Sequence, residues 1–296
     1  MKAWRGELAL AGITIIWGST FVLVKSALAE VSAILFLALR FTIAALALTI
    51  IYRRGIRRDG ILPGLLAGVL LFTAYVFQTK GLELTTASKS AFLTGLSIPM
   101  VPLASSLVYR NRPQPFELGG ILIASFGMAL MTFPAGGFGM SRGDFLSFLC
   151  AVIFALHIVV VSHYTPILGF QTIAVIQVAA AAALGIVSVR FVEPVRFHLS
   201  GSVAAALLIT GLLATALAFT TMAWAQQFTS ASRAALIFTL EPVVAWVTSY
   251  LLLGEVLTMR GKVGAAAILA GVVLVEFRSA ELSRGIVTKV SGNTSN

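Results

Sequence analysis

Apolar runs of about 20 residues follow one another along nearly the whole chain, and only short polar segments separate them. A helix of about 20 residues is long enough to cross the hydrocarbon core of a bilayer. We identify ten such runs, at about residues 7–25, 32–52, 61–80, 87–109, 116–133, 144–164, 171–190, 201–221, 231–253 and 261–277. The sequence therefore predicts an all-α integral membrane protein with ten transmembrane helices and no sizeable aqueous domain.

Composition excludes a soluble chain of this size. Of the 296 residues, 58% are hydrophobic and only 11% are charged, whereas soluble domains carry about 25% charged residues. The net charge of +10 does not indicate a nucleic-acid partner, because the basic residues stand mostly at span ends, where they set orientation and face anionic lipid headgroups. The expected partners are a small-molecule substrate and membrane lipids, with no nucleic acid and no obligate protein partner.

The basic residues also predict the orientation of the chain. With the N-terminus inside, eight Lys and Arg residues of the first half face the cytoplasm and four face the other side. The second half gives four on each side. Because short loops rich in Lys and Arg stay in the cytoplasm, we expect both termini there, in a multi-pass protein of the bacterial plasma or inner membrane.

The two halves of the chain repeat each other. A shift of 144 residues places A-S-K at 87–89 on A-S-R at 231–233, Gly120 on Gly264 and Gly127 on Gly271. A shift of 137 residues places R-G-E at 5–7 on R-G-D at 142–144. Each half holds five spans, an odd number, so the second half must enter the membrane from the opposite side. We therefore expect two inverted five-helix repeats, at 1–138 and 139–277, and a disordered cytoplasmic tail at 278–296.

Several short motifs resemble those of the ten-helix EamA-type members of the drug/metabolite transporter superfamily. In the first half they are W-G-S-T-F from Trp17, L-R-F from Leu39 and Q-T-x-G-L from Gln78, which leads into T-T-A-S-K-S-A-F-L-T-G-L-S-I-P. In the second half they are L-E-P-V-V-A-W from Leu240 and L-G-E from Leu253. The resemblance implies a secondary transporter with an inverted-repeat fold that exports amino acids, other metabolites or drugs. One departure is that R-N-R-P-Q-P after span four lacks an acidic residue.

Two charged residues lie near the middle of predicted spans, where a charge is costly and therefore points to function. Arg40 in span two could bind a substrate carboxylate through its bidentate guanidinium, or serve as a fixed partner for an acid or for helix-end carbonyls. Glu241 in span nine could couple transport to protons, because a buried carboxyl group can titrate near neutrality. Alternatively, Glu241 stabilises a kink at Pro242 or is a permanent partner of Arg40. Pro242 is itself a candidate gating residue.

Polar side chains on spans three and four predict the wall of a central cavity. Tyr75 and Gln78 share one helix face, and Thr94 and Ser97 have the same spacing in span four. In lipid such groups point toward neighbouring helices or a cavity. Pro99, close behind them, is a candidate gating residue, with ordinary packing as the alternative.

Three further residues are candidates for substrate contact. Trp17 lies half-way through span one, too deep for the interfacial aromatic belt, so it either stacks on substrate or packs in the core. His157, in the middle of span six, is a substrate contact, a proton carrier or a hydrogen-bonded core residue. Gln177 aligns with Arg40 at the shift of 137 residues, so both are expected to face the same central space.

These observations favour a secondary transporter, an exporter of amino acids or related small metabolites that alternates access around a midplane cavity. The sequence has no GxxxxGK[ST] loop for nucleotide phosphates, so a proton gradient or the substrate's own gradient must drive transport. A drug exporter, a lipid flippase or a channel is an alternative. An intramembrane enzyme is disfavoured because the spans hold no HExxH or GxSxG motif. No cofactor, metal site or catalytic residue is expected.

Overall fold

The computed structural model describes residues 3–85, 87–110, 113–132, 141–253 and 258–292, and over these residues the fold is all-helical. The helix over Gly201–Ala225 is π-helical in its middle, from Ile209 to Leu217. The helices are α1 Ala3–Ala27, α2 Ala33–Tyr52, α3 Ile61–Leu84, α4 Ala87–Gly95, α5 Ser97–Tyr109, α6 Pro115–Thr132, α7 Arg142–Leu168, α8 Phe170–Val192, α9 Gly201–Ala225, α10 Ala231–Phe238, α11 Glu241–Leu253 and α12 Met259–Gly292.

The helices bear out the membrane prediction. Within the described ranges, seven helical segments are long and apolar enough to cross a bilayer, and two further apolar segments, Leu93–Tyr109 and Pro115–Leu130, are shorter. The chain is therefore a multi-pass, all-helical membrane protein. The predicted boundary between the two halves, at 138 and 139, lies outside the described residues.

Two of the predicted spans are broken near their middle, and a proline follows each break. Pro99 is the third residue of α5 and Pro242 is the second residue of α11. A proline cannot donate a backbone hydrogen bond to the residue four positions back, but in the first turn of a helix that donor has no partner anyway. The prolines therefore stand where a new helix starts, so spans four and nine each consist of two shorter helices.

Helices α6 and α12 cross at glycines that meet in a reciprocal pattern. A Cβ added to Gly120 would lie 2.8 Å from the carbonyl oxygen of Gly271, and a Cβ added to Gly127 would lie 2.5 Å from that of Gly264. Gly120 corresponds to Gly264 and Gly127 to Gly271 under the shift of 144 residues, so each glycine meets the counterpart of the other. Such an exchange is the contact pattern of two elements related by a two-fold axis.

Small residues also bring the helices around the centre of the bundle into close contact. A Cβ added to Gly68 of α3 would lie 2.6 Å from the carbonyl oxygen of Gln177 in α8. A Cβ added to Gly185 of α8 would lie 2.9 Å from Cα of Ala38 in α2. Close backbone approach of this kind is a usual basis of helix association in membranes. It places the middles of α2, α3 and α8 side by side.

The last helix is longer than predicted. α12 continues past residue 277, the predicted end of span ten, as far as Gly292. The sequence predicts a disordered tail over this stretch because its residues are polar and lack apolar periodicity. The stretch contains no proline and only one glycine before its end, Gly285, so nothing in it forces a helix to stop.

The crossing of α6 and α12 gives a direct test of packing. We expect Gly127→Ala to destabilise the protein by about 1–3 kcal/mol, because its Cβ would overlap the backbone of α12. Gly119→Ala on the same helix is the matched control, since no atom lies within 4 Å of its added Cβ. Alanine favours a helix over glycine, so the control should be neutral or stabilising. Thermal unfolding in detergent measures both, and equal midpoints would contradict the assigned crossing.

Candidate functional site

A cavity with about 930 Å³ of empty space, its mouth included, lies in the middle of the bundle. We call it the central cavity. Nine of the residues predicted as site residues line it: Trp17, Arg40, Tyr75, Gln78, Thr94, Ser97, His157, Glu241 and Pro242. The other two, Gln177 and Pro99, are not among its lining residues.

Aromatic rings form much of the cavity wall. The ring of Trp17 lies with its centroid 5.4 Å from that of Phe219 and 5.2 Å from that of Phe238. On the opposite helices, Tyr75 contacts Phe154 edge to face at 5.4 Å. Rings in such tilted and edge-to-face contacts stabilise one another and hold their positions. The cavity is therefore a mostly apolar space with a few fixed polar groups, which is typical of small-molecule sites.

Arg40 is the cation of this cavity, and its side chain is held by neutral oxygens. Its Nε donates to Thr215 Oγ1 at 2.6 Å, and one terminal nitrogen donates to Tyr75 Oη at 3.1 Å and to the Ala214 carbonyl at 3.3 Å. The guanidinium carbon also lies 4.5 Å from the centroid of the Tyr75 ring. Among the described residues, no carboxylate lies within ion-pair distance of Arg40. Its charge is thus hydrogen-bonded but not neutralised.

The π-helical segment of α9 supplies two of these partners. Thr215 Oγ1 donates to the Thr210 carbonyl five residues back, and the Ala214 carbonyl accepts from Trp17 Nε1 at 2.9 Å as well as from Arg40. One carbonyl therefore positions both a cation and an aromatic ring of the cavity. π-helical turns often occur at functional sites.

Glu241 lines the same cavity, and its carboxylate has no partner among the described residues. It is half-buried at the start of α11, and within the described ranges no hydrogen bond or ion pair involves its carboxylate. Arg40 and Glu241 therefore share the cavity but do not form the permanent pair that the sequence left open. Helix α1 passes close by, since a Cβ added to Gly18 would lie 2.8 Å from the Glu241 carbonyl oxygen.

His157, at the cavity wall, and Gln177, behind it, form a buried pair. The distance from His157 Nε2 to Gln177 Oε1 is 2.8 Å, and both side chains are fully buried. Because Oε1 only accepts, Nε2 carries the proton in this arrangement. His157 Nδ1 and Gln177 Nε2 then have no hydrogen-bond partner in the described structure. The sequence predicts that Gln177 faces the central space, and this prediction is wrong. Gln177 does not line the cavity but binds His157, which does.

The polar residues of spans three and four meet each other. Gln78 Nε2 donates to Thr94 Oγ1 at 3.5 Å, so α3 and α4 are joined at the cavity wall. Thr94 Oγ1 also lies 3.9 Å from the sulfur of Cys150 in α7. Ser97 is buried at the start of α5. The cavity wall formed by α3, α4 and the start of α5 is the part of the site that helical spacing alone predicts.

Comparison with known proteins identifies the family. The sequence model of the EamA-like transporter family matches residues 4–133 and, a second time, residues 141–277. The chain belongs to the EamA-like transporter family. It is therefore a membrane transporter, a class of protein that moves small molecules.

Relatives of this transporter carry the same general name. An uncharacterized transporter of Archaeoglobus fulgidus is 34% identical over 280 residues, which cover 94% of this chain and 88% of the relative. The uncharacterized transporter YoaV of Bacillus subtilis is 23% identical over 282 residues, which cover 91% of this chain and 96% of the relative. A solved crystal structure matches with a TM-score of 0.79 at 21% identity, over 95% of this chain and 99% of that one. That structure shares the fold of this transporter.

The central cavity of the transporter extends from the middle of the bundle toward the side opposite the N-terminus. Its lining residues on α1 run from Trp17 to Val24 and those on α3 from Tyr75 to Leu82, in the second half of each helix. On the side of the N-terminus, α1 and α9 touch, since a Cβ added to Gly6 would lie 3.2 Å from the Ala225 carbonyl oxygen. On α1 and α3 the cavity lining is therefore confined to the middle of the bundle and to the half away from the N-terminus.

Sequence reasoning missed the support that α9 gives to Arg40. Thr210 and Thr215 are five residues apart, a spacing that an α-helix does not bring to one face. Two threonines in an otherwise apolar run are the only signal in this segment. Whether a segment forms a π-helical turn depends on its tertiary contacts, and these cannot be seen in the local sequence.

Removing the hydroxyl of Thr215 tests this support. We expect Thr215→Val to destabilise the transporter by about 1–3 kcal/mol, because Arg40 Nε would become a buried donor without an acceptor. The matched control is Thr220→Val on the same helix, where the buried hydroxyl has no partner within the described part of the chain and its removal should be neutral or stabilising. Thermal unfolding in one detergent compares the two. Equal effects would contradict the role given to Thr215.

Proposed function

We propose that the transporter exports amino acids or related small carboxylated metabolites by alternating access around the central cavity. The position of Arg40 carries this proposal. Arg40 is 4% exposed and lines the cavity, and among the described residues its guanidinium is held by neutral oxygens only. A guanidinium binds a carboxylate through two parallel hydrogen bonds. A substrate carboxylate would thus compensate a charge that is costly at this depth.

The aromatic wall supports a substrate that also has an apolar part. Trp17, Phe219 and Phe238 lie together on the side of α1, α9 and α10. Ring faces accept apolar and aromatic side chains with little loss of conformational entropy, because the rings are already fixed by their neighbours. An amino acid or a metabolite of similar size combines the two features, a carboxylate for Arg40 and an apolar part for the rings.

Two inverted five-helix units, at 1–138 and 139–277, are the proposed basis of the motion. The reciprocal glycine contacts between α6 and α12 and the two successive matches of the family model support this division. Units of opposite topology can exchange conformations, which opens a site between them first to one side and then to the other. The helix breaks before Pro99 and Pro242 give the two broken spans points at which to bend.

Glu241 is the proposed coupling site. Its carboxylate faces the cavity and has no partner in the described structure. A proton can therefore bind and leave this group without breaking an ion pair that holds the fold together. The sequence has no nucleotide-binding GxxxxGK[ST] loop, which supports transport driven by an ion or solute gradient.

The sequence supports a proposed direction and location. The motif resemblance favours export, and the Lys and Arg distribution favours cytoplasmic termini in a bacterial inner membrane. The side opposite the N-terminus is then the outside. In this conformation the central cavity would face outward, the state from which an exporter releases its substrate.

Substitution of Arg40 by lysine tests the substrate class. Lysine keeps the charge but lacks the planar fork that binds both carboxylate oxygens. In liposomes that contain purified protein, we expect Arg40→Lys to raise the KM for transported amino acids about tenfold or more, since a hydrogen bond to a charged group is worth about 1.5–3 kcal/mol. Amines made by removal of the carboxyl group should be poor substrates of both proteins.

The matched control for this test is Arg57→Lys, which changes an exposed arginine paired with Asp59. It should leave the KM unchanged. Transport of the amines as efficient as that of the amino acids, or an unchanged KM in Arg40→Lys, would contradict recognition of a carboxylate by Arg40.

Substitution of Glu241 by glutamine tests coupling. We expect Glu241→Gln to abolish accumulation driven by a proton gradient, because the amide cannot exchange a proton, while exchange of labelled for unlabelled substrate without a gradient persists. Glu30→Gln, at a carboxylate between α1 and α2, serves as control. Accumulation that survives in Glu241→Gln would make this residue a structural one.

A further inference from the structure

A second cavity lies on the N-terminal side of the bundle, with about 800 Å³ of empty space including its mouth. It lies between the end of α5, the start of α6, the second half of α7 and the start of α10. Its polar lining includes Ser105, Arg110, Glu117, Ser162 and His163. We call it the N-side cavity.

The two cavities lie along the same helices, one above the other. On α7, Ile158 lines the central cavity and the next residue, Val159, lines the N-side cavity. Along α5 and α10, the buried residues Val101 and Leu236 stand between residues that line one cavity and residues that line the other. A thin layer of apolar side chains therefore separates a polar space on the N-terminal side from the central cavity.

A cluster of charged residues joins three helices on the N-terminal side of the bundle. Arg233 Nε of α10 donates to Glu117 Oε1 of α6 at 3.1 Å, and an Arg233 terminal nitrogen lies 3.6 Å from Glu7 Oε1 of α1. Ser230 Oγ donates to the same Glu117 oxygen at 3.4 Å. The three charged side chains are only 6–23% exposed, so separation of the cluster would leave poorly solvated charges.

The internal repeat relates the N-side cavity to the mouth of the central one. The shift of 144 residues places Ala231 and Ser232, which line the N-side cavity, on 87–88 at the start of α4. The next turn of α4 lines the central cavity with Ala91 and Thr94. The two cavities thus use corresponding ends of corresponding helices, on opposite sides of the bundle.

We infer that the N-side cavity is the vestibule through which substrate reaches the central cavity, and that the Glu7–Arg233–Glu117 cluster keeps the two apart. This inference rests on the proposed function. In the opposite-facing state α10 moves away from α1 and α6, the cluster separates and the apolar layer opens. Arg110 gives the vestibule an exposed cation that attracts carboxylated solutes.

Cysteine labelling tests the cluster without knowledge of the substrate. The chain has one cysteine, Cys150, which is buried, so Cys150→Ala gives a cysteine-free background. Ser97→Cys then reports on the central cavity through a membrane-impermeant maleimide added to one side of the membrane at a time. With the cluster intact, labelling comes from the side opposite the N-terminus.

Arg233→Gln should reverse this preference. We expect the labelling rate from the N-terminal side to rise about tenfold and the rate from the other side to fall, because the variant shifts the population toward the opposite-facing state. The double variant Glu7→Gln with Glu117→Gln should act in the same direction. Arg57→Gln, on the same side but outside the cluster, should change neither rate. Unchanged rates, or a rise from both sides as loosening of the whole fold produces, would overturn the inference.

A second experiment tests the vestibule itself. A bulky maleimide attached to Ser162→Cys should block amino-acid flux at least about tenfold, whereas the same reagent on Arg54→Cys, in the exposed loop before α3, should not. Full flux through the labelled Ser162→Cys protein would reject the vestibule. If no amino acid is transported but the labelling preference still reverses, the proposed substrate fails and the cluster assignment stands.

Discussion

A guanidinium group inside a membrane bundle needs polar partners, and the centre of this structure is organised to supply them. A charge at such depth is costly unless it is paired or hydrogen-bonded. Arg40 has three such partners: a hydroxyl and a carbonyl of α9 and the phenol oxygen of Tyr75 on α3. The carbonyl that α9 offers also holds the indole of Trp17. The hydrogen bonds of this cation therefore join α2 to α3 and α9, and the same carbonyl of α9 joins α1 to them.

Close backbone contacts and helix breaks complement this fixed centre. Glycines join α6 to α12 and α3 to α8 so closely that a single added methyl group would clash. The broken spans, in contrast, have no continuous backbone hydrogen bonding at Pro99 and Pro242, and the ion pairs of Arg233 link the start of α10 to α1 and α6. Rigid pairs and bendable spans in one bundle are what a protein needs if two units are to move around a fixed site.

Hydropathy and spacing were sufficient for most of the fold and for one side of the site. Charges are so costly in lipid that apolar runs mark the spans directly, and the stripe of Tyr75 and Gln78 follows from helical periodicity. The π-helical segment of α9 could not be predicted from the sequence. Thr215 binds the Thr210 carbonyl and Arg40 only in the folded bundle, where α9 lies beside α2. The length of α12 was missed for a similar reason, since polarity alone does not end a helix.

Pseudosymmetry predicted that Gln177 lies near the central cavity, but not that another side chain separates it from the cavity. The repeat puts it opposite Arg40, but the imidazole of His157 stands between its amide and the cavity. A repeat in the sequence relates backbones, whereas the side chains that fill the space between them differ in the two halves. The sequence also left open whether Arg40 and Glu241 meet; both line one cavity, and no ion pair joins them among the described residues.

Recognition of a carboxylate by Arg40 is the central claim, and equilibrium binding tests it most directly. Calorimetric titration of the purified protein with amino acids and with the corresponding amines isolates the contribution of the carboxyl group. The proposed function predicts that the protein binds at least one amino acid, that the matching amine binds about tenfold or more weakly, and that Arg40→Lys removes this difference. Equal affinity for amino acid and amine in the unmodified protein would contradict the claim.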